Sequence, residues 1–173
     1  ETGLTELFVD LNTIAKKFPK VKLTLVGEGN RLQEYKSLVT DLGLSNRVEF
    51  TGWLNKQEIQ TLAAKCSIGI FPSRIESFGL SGVEAMAAGL PVIAARGGAV
   101  PENIKDGVTG TLVPVNNSDA LAEAINKALE NPQYSETMAI AAKSAVKKKF
   151  SWDRAADSMI KIYKNLCIKT SST

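Results

Sequence analysis

A chain of 173 residues, 44% hydrophobic and 23% charged, has the make-up of an ordinary globular protein and holds one well-packed domain or two very small ones. Its net charge of +3 is too mild to indicate a nucleic-acid partner, and its only basic run, Lys147-Lys148-Lys149, reads as a solvated helix face. The chain has no histidine, which excludes a Ser-His-Asp triad, a Cys-His pair or an HExxH zinc site within it.

Leu4, Leu7, Phe8, Leu11, Ile14, Ala15 and Phe18 are apolar at helical spacing, and Pro19 stops that helix. Residues 21–26 predict a strand ending in Gly27, followed by a helix over 31–42 that Gly43 closes. A strand over 47–52 follows, then a helix over 56–65 capped by Asn55. Residues 67–71 predict a buried strand, and after Pro72-Ser73 a helix opens near Gly79 and ends at Ala88-Gly89. Residues 91–95 predict a strand, 100–105 a short helical turn, and 109–115 the last strand, whose far end Pro114 places at an edge or exit. Three helices close the chain, over 118–130, 133–149 and 152–166, with Ser118 and Ser151 as caps of the first and third.

Strand and helix alternate with short loops, and the strands are nearly continuously apolar. This pattern predicts an α/β fold, a doubly wound parallel sheet with helices on both faces, as one domain over 1–173. Such a domain normally opens with a central strand, whereas this chain opens in a helix. Cys66 and Cys167 are far apart, sit in apolar helical patterns and predict free, buried thiols. No stretch is long and apolar enough to span a membrane and no signal peptide is visible, so the cytoplasm is the default location.

In open α/β sheets ligands bind beyond the carboxyl ends of the strands. The segments there are Gly27-Glu28-Gly29, Gly52-Trp53, Ser73 to Leu80, Arg96-Gly97-Gly98 and Val115-Asn116-Asn117. The stretch from Glu76 to Glu84 is the most informative. Glu84 is the only charged residue between Ser77 and Ala95, so it predicts a buried carboxylate that needs a hydrogen-bonding partner: a vicinal diol, an internal salt bridge or a backbone group. Glu76 lies just before the helix, as a sugar-hydroxyl acceptor or a solvated loop acid. The Gly79-Leu80 amides form a plausible anion site, unless Gly79 merely starts the helix. Arg96 could meet phosphate oxygens or lie on the surface, and Trp53 could pack beside a base or cover a helix.

The run Phe71-Pro72-Ser73-x-x-Glu76-Ser77-Phe78-Gly79-Leu80-x-x-x-Glu84-Ala85-Met86-Ala87-Ala88-Gly89-Leu90-Pro91-Val92 resembles the E-x7-E block of retaining GT-B glycosyltransferases of family 4 (glycosyl transferases group 1). The flanking segments 21–30, 47–54, 97–102, 106–114 and 150–153 resemble that family's neighbouring blocks, so the resemblance covers essentially the whole chain. It implies a Rossmann-like, donor-binding half. Glu76 would contact donor sugar hydroxyls as the catalytic-centre acid, and Phe78, Gly79, Leu80 and Ser81 would meet sugar or diphosphate. Glu84 would hold the ribose, and Gly27, Gly29, Gly52 and Trp53 would frame the base. It implies no metal and no cofactor beyond a nucleotide-diphosphate sugar as substrate.

The resemblance also implies what this chain lacks. The family's usual Lys-Gly pair aligns with Thr2-Gly3, and its diphosphate-binding arginine falls before Glu1. Its first strand would lie between strands 21–26 and 67–71, so two mid-sheet edges are expected to be unpaired. The expected partner is the missing acceptor-binding half, against which helix 152–166 would pack, and through which any peripheral membrane association would run. The reading is a donor-binding half, inactive alone. The alternatives are a non-catalytic nucleotide-sugar module or partner subunit, and a dinucleotide-dependent oxidoreductase fragment, against which stands the lack of Gly-x-Gly-x-x-Gly.

Overall fold

Helix α1 (Leu4–Lys17) carries two apolar stripes that face different cores. Leu7 and Ile14 pack with Ile93, Val113, Leu121 and Ile125, while Phe8 and Leu11 pack with Tyr35, Val39, Leu44 and Val48. Leu4 and Leu23 touch both groups, so α1 ties the two together. The computed structural model describes residues 3–170, with side chains through residue 166.

After α1 come β1 (Leu23–Val26), α2 (Leu32–Asp41), β2 (Val48–Gly52), α3 (Lys56–Ala63), β3 (Gly69–Phe71), α4 (Leu80–Ala88) and β4 (Val92–Ala95). Then follow α5 (Val100–Asn103), β5 (Thr111–Val113), α6 (Ser118–Glu130), α7 (Pro132–Lys149) and α8 (Trp152–Thr170). All strand pairings among these strands are parallel, as the alternation of strand and helix predicts. The strands form two ladders, β1-β2 and β3-β4-β5. Leu23 sits opposite Val48 in the first; in the second, Ile70 is opposite Ile93 and Ile93 opposite Thr111. Neither β1 nor β3 has a ladder partner on its second side among the described residues, which matches the two expected open edges.

Strand β4 is the centre of its ladder and is buried at all four positions. The strand period of two sends Val92 and Ala94 into a core with Met86, Val100, Leu112 and Ala142, and Ile93 into the core under α1 and α6. That is why this segment is an unbroken apolar run. Strand β5 lies at the edge of the ladder, where Pro114 can end it without losing a ladder hydrogen bond.

The helix ends largely follow their sequence signals. Asn55 accepts from the Gln57 and Glu58 amides at 2.9 and 3.0 Å, and its own amide donates to the Glu58 carboxylate at 2.7 Å. Ser151 accepts from the Arg154 amide at 3.2 Å. The cap of α6 differs from expectation: Asn117 is extended and accepts from the Ala120 amide at 2.9 Å, so Ser118 is already helical. Cys66 is a free thiol but only half-buried, packed at the margin of the core around Met86; burial pushes its pKa up. The Cys167 side chain lies outside those described. On α8, Trp152 is 90% exposed and Met159, Ile160, Ile162, Tyr163 and Leu166 are also exposed, the apolar surface expected of that helix. No helix among the described residues is long and apolar enough to cross a membrane.

One acid works against this packing. Asp10 on α1 has a buried Oδ2 without a hydrogen-bond partner, and desolvation, then Asp119 and Glu6, raise its pKa. A carboxyl whose folded pKa is raised costs stability once ionised, and the cost disappears as pH falls through the folded value. Asp10→Asn should therefore stabilise the fold at pH 7 in urea titrations, with a gain that shrinks on acidification. A gain that grows on acidification would contradict the assignment.

Candidate functional site

Strand β3 ends at Phe71, and residues 72–79 carry the chain to the start of α4. The segment after β4 shapes this loop. The Ala99 amide donates to the Glu76 carbonyl at 3.0 Å, and Asn103 Nδ2 donates to the Phe78 carbonyl at 2.6 Å. Gly97 and Gly98 lie directly against the backbone of residues 73–76: a Cβ on Gly97 would strike the Arg74 carbonyl, and one on Gly98 the Glu76 carbonyl. Gly98 also has φ 53°, a conformation in which a side chain is strained. On the other side, Arg74 is ion-paired to Glu6 of α1, whose carboxyl is held below its ordinary pKa by its own backbone N–H and by Arg74.

Between these walls lies a small cavity of about 60 Å³, lined by Ser73, Glu76, Phe78, Gly79, Ser81 and Asn103 among others. Glu76 is half-buried, and its carboxylate has no hydrogen-bond or ion-pair partner among the described residues. At the same place α4 begins at Gly79, in a left-handed conformation (φ 78°, ψ 36°), with no side-chain cap. The first-turn amides of α4 are therefore available to an outside acceptor, and the helix dipole favours an anionic one. The arrangement offers hydroxyl acceptance from Glu76 and anion binding from α4, side by side.

The structure brings Glu76, Phe78, Gly79 and Ser81 together around the cavity. Leu80, Ser81 and Glu84 share the exposed face of α4, by helical spacing. Glu84 is thus not the buried acid that its apolar neighbours suggested. Those neighbours, Gly82, Val83, Ala85 and Met86, occupy the opposite, buried face, and Glu84 has no internal salt bridge among the described residues. A diol-binding role needs this exposure; a core role would forbid it.

Gly27, Gly29, Gly52 and Trp53 form a second group at the carboxyl ends of β1 and β2. The Gly27 amide donates to the Gly52 carbonyl at 2.8 Å, Leu32 N donates to the Gly29 carbonyl at 3.1 Å, and Glu28 Oε1 accepts from the Trp53 amide at 3.4 Å. The Trp53 ring is 71% exposed and covers no helix, contrary to its commoner alternative. This group does not line the Glu76 cavity. Arg96 pairs with Asp106 at 2.8 Å, so it is a tied surface cation. Among the described residues no three His, Cys, Asp or Glu side chains group as metal ligands. Sequence reasoning missed Asn103, which lies 25 residues from Phe78; nothing local signals their contact.

A model of the family described as glycosyl transferases group 1 matches residues 1–145. The D-inositol 3-phosphate glycosyltransferase of Mycobacterium leprae is 35% identical over 156 residues, covering 87% of this chain and 36% of that protein. Sucrose-phosphate synthase from Thermosynechococcus elongatus superposes with a TM-score of 0.85 at 29% identity, over 97% of this chain and 43% of that one. HepE of Anabaena, solved in complex with UDP-glucose, superposes with a TM-score of 0.79 at 31% identity, over 99% of this chain and 46% of that one. The chain spans 36% to 44% of the length of the first curated relatives it matches.

The backbone contact at Gly98 makes a direct stability prediction. Gly98→Ala should cost roughly 2–4 kcal/mol, from the collision with Glu76 and the positive φ together. Gly43→Ala shares the positive φ of 70° but meets nothing within 4 Å, so it should cost only about 1–2 kcal/mol. Equal losses in urea unfolding would show that the close approach carries no weight.

Proposed function

The chain belongs to the glycosyl transferases group 1 family, and from that membership we propose that it grips the nucleotide-diphosphate sugar donor of a retaining, metal-independent glycosyltransferase. The observation that carries the reading is the unpartnered Glu76 carboxylate beside the uncapped start of α4, in one cavity. In this reading Glu76 accepts from donor sugar hydroxyls near the reacting carbon. The amides of Gly79, Leu80 and Ser81 receive the diphosphate, with the dipole of α4 behind them. Glu84, exposed one turn along, accepts from the ribose diol. The loops at Gly27, Gly29, Gly52 and Trp53 frame the base.

Transfer breaks the bond between the anomeric carbon and the diphosphate oxygen and forms one to the hydroxyl oxygen of a saccharide or lipid-linked acceptor, whose proton passes to the leaving diphosphate. The leaving diphosphate takes the electron pair, and the backbone amides at the start of α4 stabilise it in place of a metal. The acceptor would be held by a second, acceptor-binding half, and chemistry would occur in the cleft between the two. The 173 residues alone are then a binding unit without transferase activity. The solved complex of HepE with UDP-glucose, at 31% identity, supports a nucleotide-sugar as the ligand class.

Calorimetric titration of the chain with UDP, GDP and ADP tests this. One diphosphate should bind, and Glu84→Ala should weaken it by about tenfold to a hundredfold, the worth of one or two charge-assisted hydrogen bonds. Binding unaffected by Glu84→Ala, or a preference for NAD over all three, would overturn the donor-site reading.

A further inference from the structure

The loop that carries Glu76 is fixed by residues that come from far along the chain. Asn103, the last residue of α5, is the link. Its Nδ2 donates to the Phe78 carbonyl at 2.6 Å, and its Oδ1 accepts from Lys149 Nζ at 3.0 Å. Lys149, the last residue of α7, also donates to the Glu102 carbonyl at 2.6 Å. Its ammonium group lies 5.0 Å from the centre of the Phe150 ring, and that ring meets Phe78 edge-on, with centroids 5.8 Å apart. Phe78 is thus held twice from the end of α7, by its carbonyl through Asn103 and by its ring through Phe150.

We propose that Asn103 is a positioning residue for donor binding: it holds the Phe78 carbonyl and so fixes the Glu76–Gly79 turn and the direction of the first α4 amides. Phe78 immediately precedes Gly79, the N-cap of α4, so rotation of the 78–79 peptide would carry the start of the helix with it. An asparagine suits the task because its amide donates at one end and accepts at the other. Lys149 polarises the acceptor end and orients the donor end toward Phe78. A hydrophobic residue of the same size would fill the space and leave the Phe78 carbonyl without this bond. The role rests on the donor-site reading above, but its geometry can be tested apart from any ligand.

The test compares Asn103→Leu with Asn12→Leu in the 173-residue chain. Asn12 makes the same type of bond, Nδ2 to the Leu42 carbonyl at 3.3 Å, away from the cavity. It therefore controls for a general loss of stability. Asn103→Leu should speed exchange about tenfold at the two amides bonded to this turn, Val83 (to the Gly79 carbonyl) and Ala99 (to the Glu76 carbonyl), and weaken whichever of UDP-glucose, GDP-mannose or ADP-glucose the unmodified chain binds by about tenfold. Asn12→Leu should do neither. Lys149→Met should give part of the same effect, and Lys149→Arg should restore it. Unchanged exchange at Val83 and Ala99 in Asn103→Leu, or faster exchange with full affinity for a bound donor, overturns the proposal. An unmodified chain that binds none of the three sugars defeats the donor-site reading instead, and exchange at Val83 and Ala99 still decides whether Asn103 holds the turn.

Discussion

The two-glycine segment after β4 lies so close to the loop after β3 that side chains at Gly97 and Gly98 would collide with the carbonyls of Arg74 and Glu76. Backbone packed on backbone at this distance leaves each segment little freedom. The bond from the Ala99 amide to the Glu76 carbonyl then fixes the register between them. β3 and β4 are neighbours in a parallel ladder, so their carboxyl ends emerge side by side and the two loops must meet. The glycines allow that meeting to be tight enough to shape a cavity. The free carboxylate of Glu76 and the uncapped α4 gain their proximity from this contact.

A second constraint acts at larger scale. Helix α1 buries one stripe against the β3-β4-β5 side and the other against β1, β2 and α2. Two ladders without hydrogen bonds to one another are thereby held as parts of one hydrophobic body. The ion pair from Glu6 to Arg74 extends this link to the site loop, because Arg74 stands two residues before Glu76. The loop is consequently braced from α1 on one side and from the 97–103 segment on the other. Rigid support of this kind holds the backbone amides at the start of α4 in one arrangement.

Glu84 and Trp53 show where pattern reading and packing part company. An isolated acid in an apolar run looks buried, yet α4 turns its glycine, valine, alanine and methionine inward and Glu84 outward. Linear neighbours on a helix are not spatial neighbours, and only the face matters. Trp53, by bulk, should cover a helix, but it follows the turn at Gly52 and stands in solvent. Both are placed where a ligand could meet them, for reasons that hydrophobicity alone does not give.

The sequence by itself determined the order and type of nearly every element, because strand and helix periods are local and Gly27, Gly43, Gly52 and Gly89 punctuate them. It also marked the stretch from Glu76 to Glu84, since the acids and the glycine helix start are contiguous in the chain. Tertiary structure alone decided the rest. That Asn103 bonds the Phe78 carbonyl, that Lys149 holds Asn103, and that Arg96 is tied to Asp106 are contacts between segments with no shared local pattern. The open edges of β1 and β3 stand apart: the family resemblance implied them, although a strand's own residues do not record its neighbour.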